Sequence, residues 1–106
     1  MKIKISGIDY DIDIIEDYPV NKNGDKYKGL IEYEQAKITI SSIPNYQVMY
    51  EILWHEIFHG LFNAYGIFLD SKKEEHFCNC FSSGIIQLLK DNPELANVNL
   101  FNEKVN

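Results

Sequence analysis

The stretch Ile52-Leu53-Trp54-His55-Glu56-Ile57-Phe58-His59-Gly60-Leu61-Phe62 decides how this chain is read. Its apolar residues recur at the three- and four-residue spacing of a helix, and its strongly polar members are two histidines and one glutamate. His55 and His59 lie four apart, so both imidazoles leave one helix face, with Cβ atoms about 5–6 Å apart, and can share one ion. Glu56 stands about 100° round the helix from His55 and reaches water beside such an ion without ligating it. That division of labour suits metal-assisted hydrolysis: zinc lowers the pKa of water towards about 7, and a free carboxylate takes the proton and later returns it. Zn²⁺ is therefore the expected cofactor, with His55 and His59 as ligands and Glu56 as general base and acid. The competing view is a polar seam on a buried helix, in which three polar side chains each need a buried partner or lose a few kcal/mol to desolvation. One shared metal satisfies all three.

Working outwards, Pro44 and Asn45 mark the first turn of this helix, Ser42 is a candidate cap, and Gly66 supplies a left-handed stop after Tyr65. Upstream the period changes to two. Ile3 and Ile5, then Ile8, Tyr10, Ile12 and Ile14, alternate with polar residues on either side of Ser6-Gly7, which predicts a hairpin with an apolar core face and a solvated acidic face of Asp9, Asp11 and Asp13. A loop follows over Asp17 to Lys26, then a second hairpin from Tyr27–Tyr33 and Lys37–Ser41, turning at Glu34-Gln35-Ala36. After Asp70 or Ser71 a second helix is expected to run to about Asp91, burying a stripe of Phe77, Phe81, Ile85, Leu88 and Leu89. The fold class is thus α+β: a small antiparallel or mixed sheet of about four strands followed by two packed helices. Residues 1–93 form one domain and residues 94–106 an Asn-rich C-terminal tail, expected to be loosely ordered.

Two histidines need a third protein ligand. The second helix offers Glu74, Glu75, His76, Cys78 and Cys80. Helical phase favours Glu75, which shares a face with Cys78, Asn79 and Ser82, and Asn79 is placed to orient a ligating imidazole. Because adjacent residues point about 100° apart, only one of Glu74 and Glu75 is expected to meet the histidines, and Glu74 is assigned to helix-dipole electrostatics. Tyr46, Tyr50 and Tyr65 are candidates for a transition-state donor. Cys78 is read as a packed thiol, and two cysteines two apart in a helix diverge too far for a mutual disulfide.

Composition narrows the function classes. The 106-residue chain is 45% hydrophobic and 25% charged, the balance of a globular protein, and carries a formal net charge of −6 with no arginine. Scattered lysines on an acidic chain disfavour a nucleic-acid surface or an anionic membrane, since phosphate binding wants a concentrated basic patch. The N-terminus lacks the unbroken apolar stretch of a secretory signal and no run is long enough to span a bilayer, so a cytoplasmic location is expected.

The run from Gln47 through His55-Glu56-Ile57-Phe58-His59, followed by Glu75-His76-Phe77-Cys78-Asn79, resembles the ImmA/IrrE group of small metallopeptidases, common in phages and mobile elements. In that group the third ligand is a Glu on the following helix in an E-x-x-[AC]-N pattern, which Glu75-x-x-Cys78-Asn79 matches. The resemblance covers roughly half the chain, and the chain departs from larger members in lacking a helix before the first hairpin. It implies a minimal zincin-like fold, a gluzincin site of His55, His59 and Glu75, a protein or peptide substrate such as a transcriptional repressor, and an edge strand, expected to be Lys37–Ser41, that holds the substrate by strand addition. Two other function classes compete with hydrolysis. One is a non-catalytic regulator that keeps the metal frame but acts by binding a partner. In the other, zinc is a fold staple closed by a fourth ligand, Cys78 or His76.

Overall fold

The computed structural model describes residues 1–97, so most of the expected tail lies outside the described residues. Strand β1 (Lys2–Ile5) turns through Ser6 and Gly7, both in the left-handed region, into the antiparallel β2 (Ile8–Ile15). Strands β3 (Gly29–Glu32) and β4 (Lys37–Ser41) form the second hairpin, and β4 also pairs parallel with β2, with Ile12 opposite Ile38. The sheet is therefore mixed, in the order β1-β2-β4-β3. Helices α1 (Tyr46–Ala64) and α2 (Ser71–Asp91) follow, so the described chain has the expected α+β architecture of four strands and two helices.

That strand order corrects one expectation. Lys37–Ser41 is an interior strand, bonded on both sides, and the free edge near α1 belongs to β3. Burial agrees with that order. Ile38 to Ser41 are buried throughout, as suits a strand covered on both flanks, whereas every residue of β3 is half-buried.

One sheet face carries the core, where Ile5, Tyr10, Ile12, Ile38 and Ile40 are buried and α1 covers them with Met49, Ile52, Leu53, Ile57 and Leu61. A single helix covers only the middle of the sheet. Ile8 and Ile14, expected on the core face, are 54% and 60% exposed at the two ends of β2. The opposite face is the solvated acidic one, where Lys2, Lys4 and Lys37 pair across strands with Asp11, Asp9 and Asp13.

The helix ends follow local chemistry. Asn45, not Ser42, caps α1, its side chain accepting from the amides of Gln47 and Val48, because the Ser42 amide is still committed to the sheet through the Ile15 carbonyl. Gly66 closes α1 at φ +68°, letting the Ile67 amide reach back to the Phe62 carbonyl. Asp70 caps α2 by accepting from the Lys73 amide. The start of the tail, Pro93–Ala96, is a short 3₁₀ turn packed on α2.

Helix α2 packs on α1 rather than on the sheet. It does so with Cys78 and Ser82 buried, and the stripe expected to be buried is only partly so: Ile85 and Leu89 are half-buried, whereas Phe77 is 38%, Phe81 44% and Leu88 52% exposed. Small residues at the helix contact let the two backbones approach, which turns the larger side chains out to the flank.

The seating of α1 against β3 depends on Gly29. A Cβ there would lie 2.6 Å from Ile52 Cγ2 and 3.1 Å from Glu56 Oε2. Because Ile52 is β-branched and its Cγ2 cannot swing aside cheaply, Gly29→Ala is expected to cost about 1–3 kcal/mol, a fall in melting temperature on the order of 5–15 °C by calorimetry. An unchanged melting temperature would show that β3 lifts off the helix freely.

Candidate metal centre

Helix α1 presents His55 and His59 on the face that meets α2, and α2 presents Glu75 from its first turns. Their ligating atoms lie within 4.8 Å of one another, and this group could hold a metal ion. His59 Nε2 is 3.1 Å from His55 Nε2 and 2.7 Å from Glu75 Oε1, and His55 Nε2 is 3.3 Å from the same carboxylate oxygen. All three residues predicted as ligands are therefore brought together.

Two features show that this donor set fits a cation. First, Glu74 Oε2 sits 2.5 Å from His59 Nδ1, so that nitrogen carries the ring proton and Nε2 presents a lone pair to the cluster. Second, the atoms facing one another are two imidazole nitrogens and a carboxylate oxygen, and acceptors this close repel unless a proton or a metal lies between them. In the metal-free chain a proton answers part of that need. Burial works against a charged His59, but the hydrogen bond to Glu74 and the charges of Glu56 and Glu75 outweigh it and raise its pKa above the ordinary value. Burial likewise opposes a charged Glu75, yet His55 and His59 hold its pKa below the usual carboxylate range.

Glu74 is the functional residue that helical phase missed. The two nitrogens of one imidazole point in divergent directions, so two adjacent carboxylates need not aim at one spot to meet the same ring. Glu75 takes Nε2 and Glu74 takes Nδ1. The expectation that only one would reach the histidines is corrected accordingly. Asn79, expected to orient an imidazole, lines the cleft, and its backbone carbonyl accepts from Ser82.

Glu56 is the most buried ionisable group of the cleft, 7% exposed where α1 meets β3. Desolvation raises its pKa to about 7; the nearby His59 opposes that rise, Glu75 reinforces it, and a backbone hydrogen bond at Ile31 limits it. Cys78 is wholly buried, and its thiol is pushed up to about 12 by burial and then by Glu74, Glu75 and Glu56, so it is a packed, protonated group. Among the described residues it is not one of the convergent donors, and His76 is turned towards Cys80, 3.7 Å away.

The site opens into a cleft of about 530 Å³ lined by Tyr27 to Ile31 on one side and by His55, Glu56, His59, Glu75 and Asn79 on the other. None of Tyr46, Tyr50 and Tyr65 lines it; they are 82%, 48% and 68% exposed. The tyrosines on the cleft are Tyr27 and Tyr33, which the sequence did not single out. Tyr33 donates to the His59 carbonyl, and burial followed by the charges of Glu74 and Glu56 raises its pKa. No local signal in the sequence marked Tyr27 or Tyr33, because the strand they flank, β3, was not the one expected at the edge.

Two outcomes follow. In competitive chelator titrations, Glu75→Ala is expected to weaken metal binding at least about tenfold, and Glu74→Ala by about 10–100-fold through the freed imidazole. Wild-type affinity in Glu74→Ala would show that the His59 contact is not made in solution. The second concerns pH in the metal-free chain. A carboxyl whose folded pKa lies above its unfolded value adds stability below about pH 4.5 and loses it as pH rises through about 7. Glu56→Gln should therefore match wild type near pH 4.5 and exceed it at pH 8 by on the order of 3 kcal/mol at most, read from denaturant midpoints. Equal stability of the two proteins at both pH values would show that Glu56 is solvated.

Comparison with protein-family models, with curated proteins and with solved structures returns no match for this chain.

Proposed function

We propose that this chain is a zinc-dependent metallopeptidase that hydrolyses a peptide bond in a specific protein substrate, and that it is a small relative of the ImmA/IrrE group. The observation that carries this reading is the convergence of His55, His59 and Glu75 beside a buried, non-ligating Glu56 at the wall of an open cleft. Two imidazoles and one carboxylate are a donor set that would suit Zn²⁺. A bound zinc ion supplies the Lewis acidity that makes water a nucleophile near neutral pH.

The chain's own residues supply the rest. Glu56, non-ligating and beside the donor set, accepts the proton of the attacking water and passes it to the leaving amine. Glu74 holds the His59 ring, and Tyr33 ties the β3–β4 turn to α1 through the His59 carbonyl. The substrate is read as an extended peptide laid along the free edge of β3, where Tyr27 to Ile31 line the cleft. The open side of the donor set favours hydrolysis over a staple, since neither Cys78 nor His76 is among the convergent donors. Among the described residues no helix is long and apolar enough to cross a membrane, which accords with a protein substrate in the cytoplasm.

Purified protein is expected to contain one zinc per chain by metal analysis. Glu56→Gln should keep that zinc and lose cleavage of the substrate protein, whereas His59→Ala should lose both. Substrate capture that persists in Glu56→Gln, with no cleavage by the zinc-loaded wild type, would instead establish the non-catalytic regulator.

A further inference from the structure

The outward flank of α2 carries a seam that nothing within the described chain covers. Phe77, Phe81, Gly84 and Leu88 follow one another at intervals of four, three and four, the spacing by which one helix presents a continuous stripe to another. The three large residues are 38%, 44% and 52% exposed. Phe77 stacks on Phe81, and Phe81 is anchored on α1 by the half-buried Phe58 and the buried Phe62, so the inner edge of the stripe is fixed while its outer edge faces solvent. Gly84 is the second observation. A glycine inside a helix costs roughly 1 kcal/mol relative to alanine, and a close approach normally explains it. Here a Cβ on Gly84 would meet nothing within 4 Å among the described residues.

We propose that α2 is the interface of a homodimer, in which two copies of this flank pack antiparallel about a two-fold axis. If Phe77 of one copy faces Leu88 of the second, the same register sets Phe81 opposite Gly84 of the second copy. The bulky ring then fills the space left by the missing side chain, twice per dimer. Charge selects the direction. Lys73 precedes the seam and Asp91 follows it, both on this flank by helical phase and each at the end of α2 that the helix dipole disfavours for its sign; within the chain Lys73 has a long, exposed contact with Asp70 at 3.9 Å, and Asp91 accepts from Gln87 and keeps its charge unpaired by any cation on α2's last turn. Antiparallel packing brings each beside its opposite on the second copy. Parallel packing sets lysine against lysine, aspartate against aspartate, and leaves a void between two Gly84 residues. The seam from Phe77 to Leu88 is only about 16 Å long, short of the roughly 800 Å² per partner of a tight complex, so association in the micromolar range is expected.

The cleft is spared, because Glu75, Asn79 and Ser82 line it from the other flank of α2. The dimer is independent of the metal reading and should form equally in chelator-treated and zinc-loaded protein.

Sedimentation velocity from about 1 to 200 μM tests it. Wild type is expected to show a reversible monomer–dimer equilibrium. Gly84→Gln, whose Cβ meets nothing within 4 Å among the described residues, should raise the dimer Kd at least tenfold while the melting temperature stays level or rises. Lys73→Asp and Asp91→Lys each improve the helix's own dipole, so weaker association in either variant reports on the interface, and the double swap should recover it. A wild type that stays monomeric at 200 μM, a Gly84→Gln protein with unchanged Kd, or single swaps that the double swap does not rescue would each overturn the antiparallel dimer.

Discussion

Because α1 is both the lid of the hydrophobic core and the carrier of two metal donors, the closeness of its approach to β3 sets everything that follows. Gly29 permits that approach, and the space it leaves is filled by Ile52 and by the aliphatic part of Glu56. A carboxylate held there loses most of its water, which is why its pKa moves towards neutrality. The same contact sets one wall of the cleft, since β3 lies at the sheet edge beside the imidazoles. Core packing and site chemistry are thus one arrangement in a chain too short to separate them.

The second helix answers a different demand. It has no share in the sheet's core and is held on α1 by buried small residues, by the contacts of Glu74 and Glu75 with His59, and by Ser83 donating to Glu51. Much of what fixes α2 is therefore polar and lies at the site itself. A metal shared between His55, His59 and Glu75 joins the two helices where apolar packing is thin, so ligand binding and helix docking reinforce one another.

Most of the fold was legible because its signals are local. Alternation placed β1 and β2 on either side of Ser6-Gly7 and β4 at Lys37–Ser41, Asp70 and Gly66 marked helix ends, and the four-residue spacing of His55 and His59 needed only helix geometry. What stayed hidden depends on partners remote in sequence. Nothing in Lys37–Ser41 itself tells whether a second strand pairs on its far side, and the parallel pairing with β2 is what turned an expected edge into the interior. Tyr33 reads in the sequence as the last residue of a strand, and it becomes a cleft residue only because the β3–β4 turn falls beside His59.

The phenylalanines of α2 show where hydrophobic periodicity misleads. A stripe at helical spacing says that one face avoids water, but it does not say whether the partner lies in the same chain. Here the buried face is built on Cys78 and Ser82, residues that a hydrophobicity count undervalues, and the ridge of Phe77, Phe81 and Leu88 is left outside. Small residues close the helix pair because close packing rewards backbone approach as much as side-chain bulk. Given that choice, the large side chains reach the α1–α2 contact only from its flank, where Phe81 touches Phe58 and Phe62 and still keeps 44% of its surface in solvent. The flank opposite the cleft is the one place where their further burial leaves His55, His59 and Glu75 accessible, so the separation of the apolar ridge from the donor cluster on one helix lets a single element serve both.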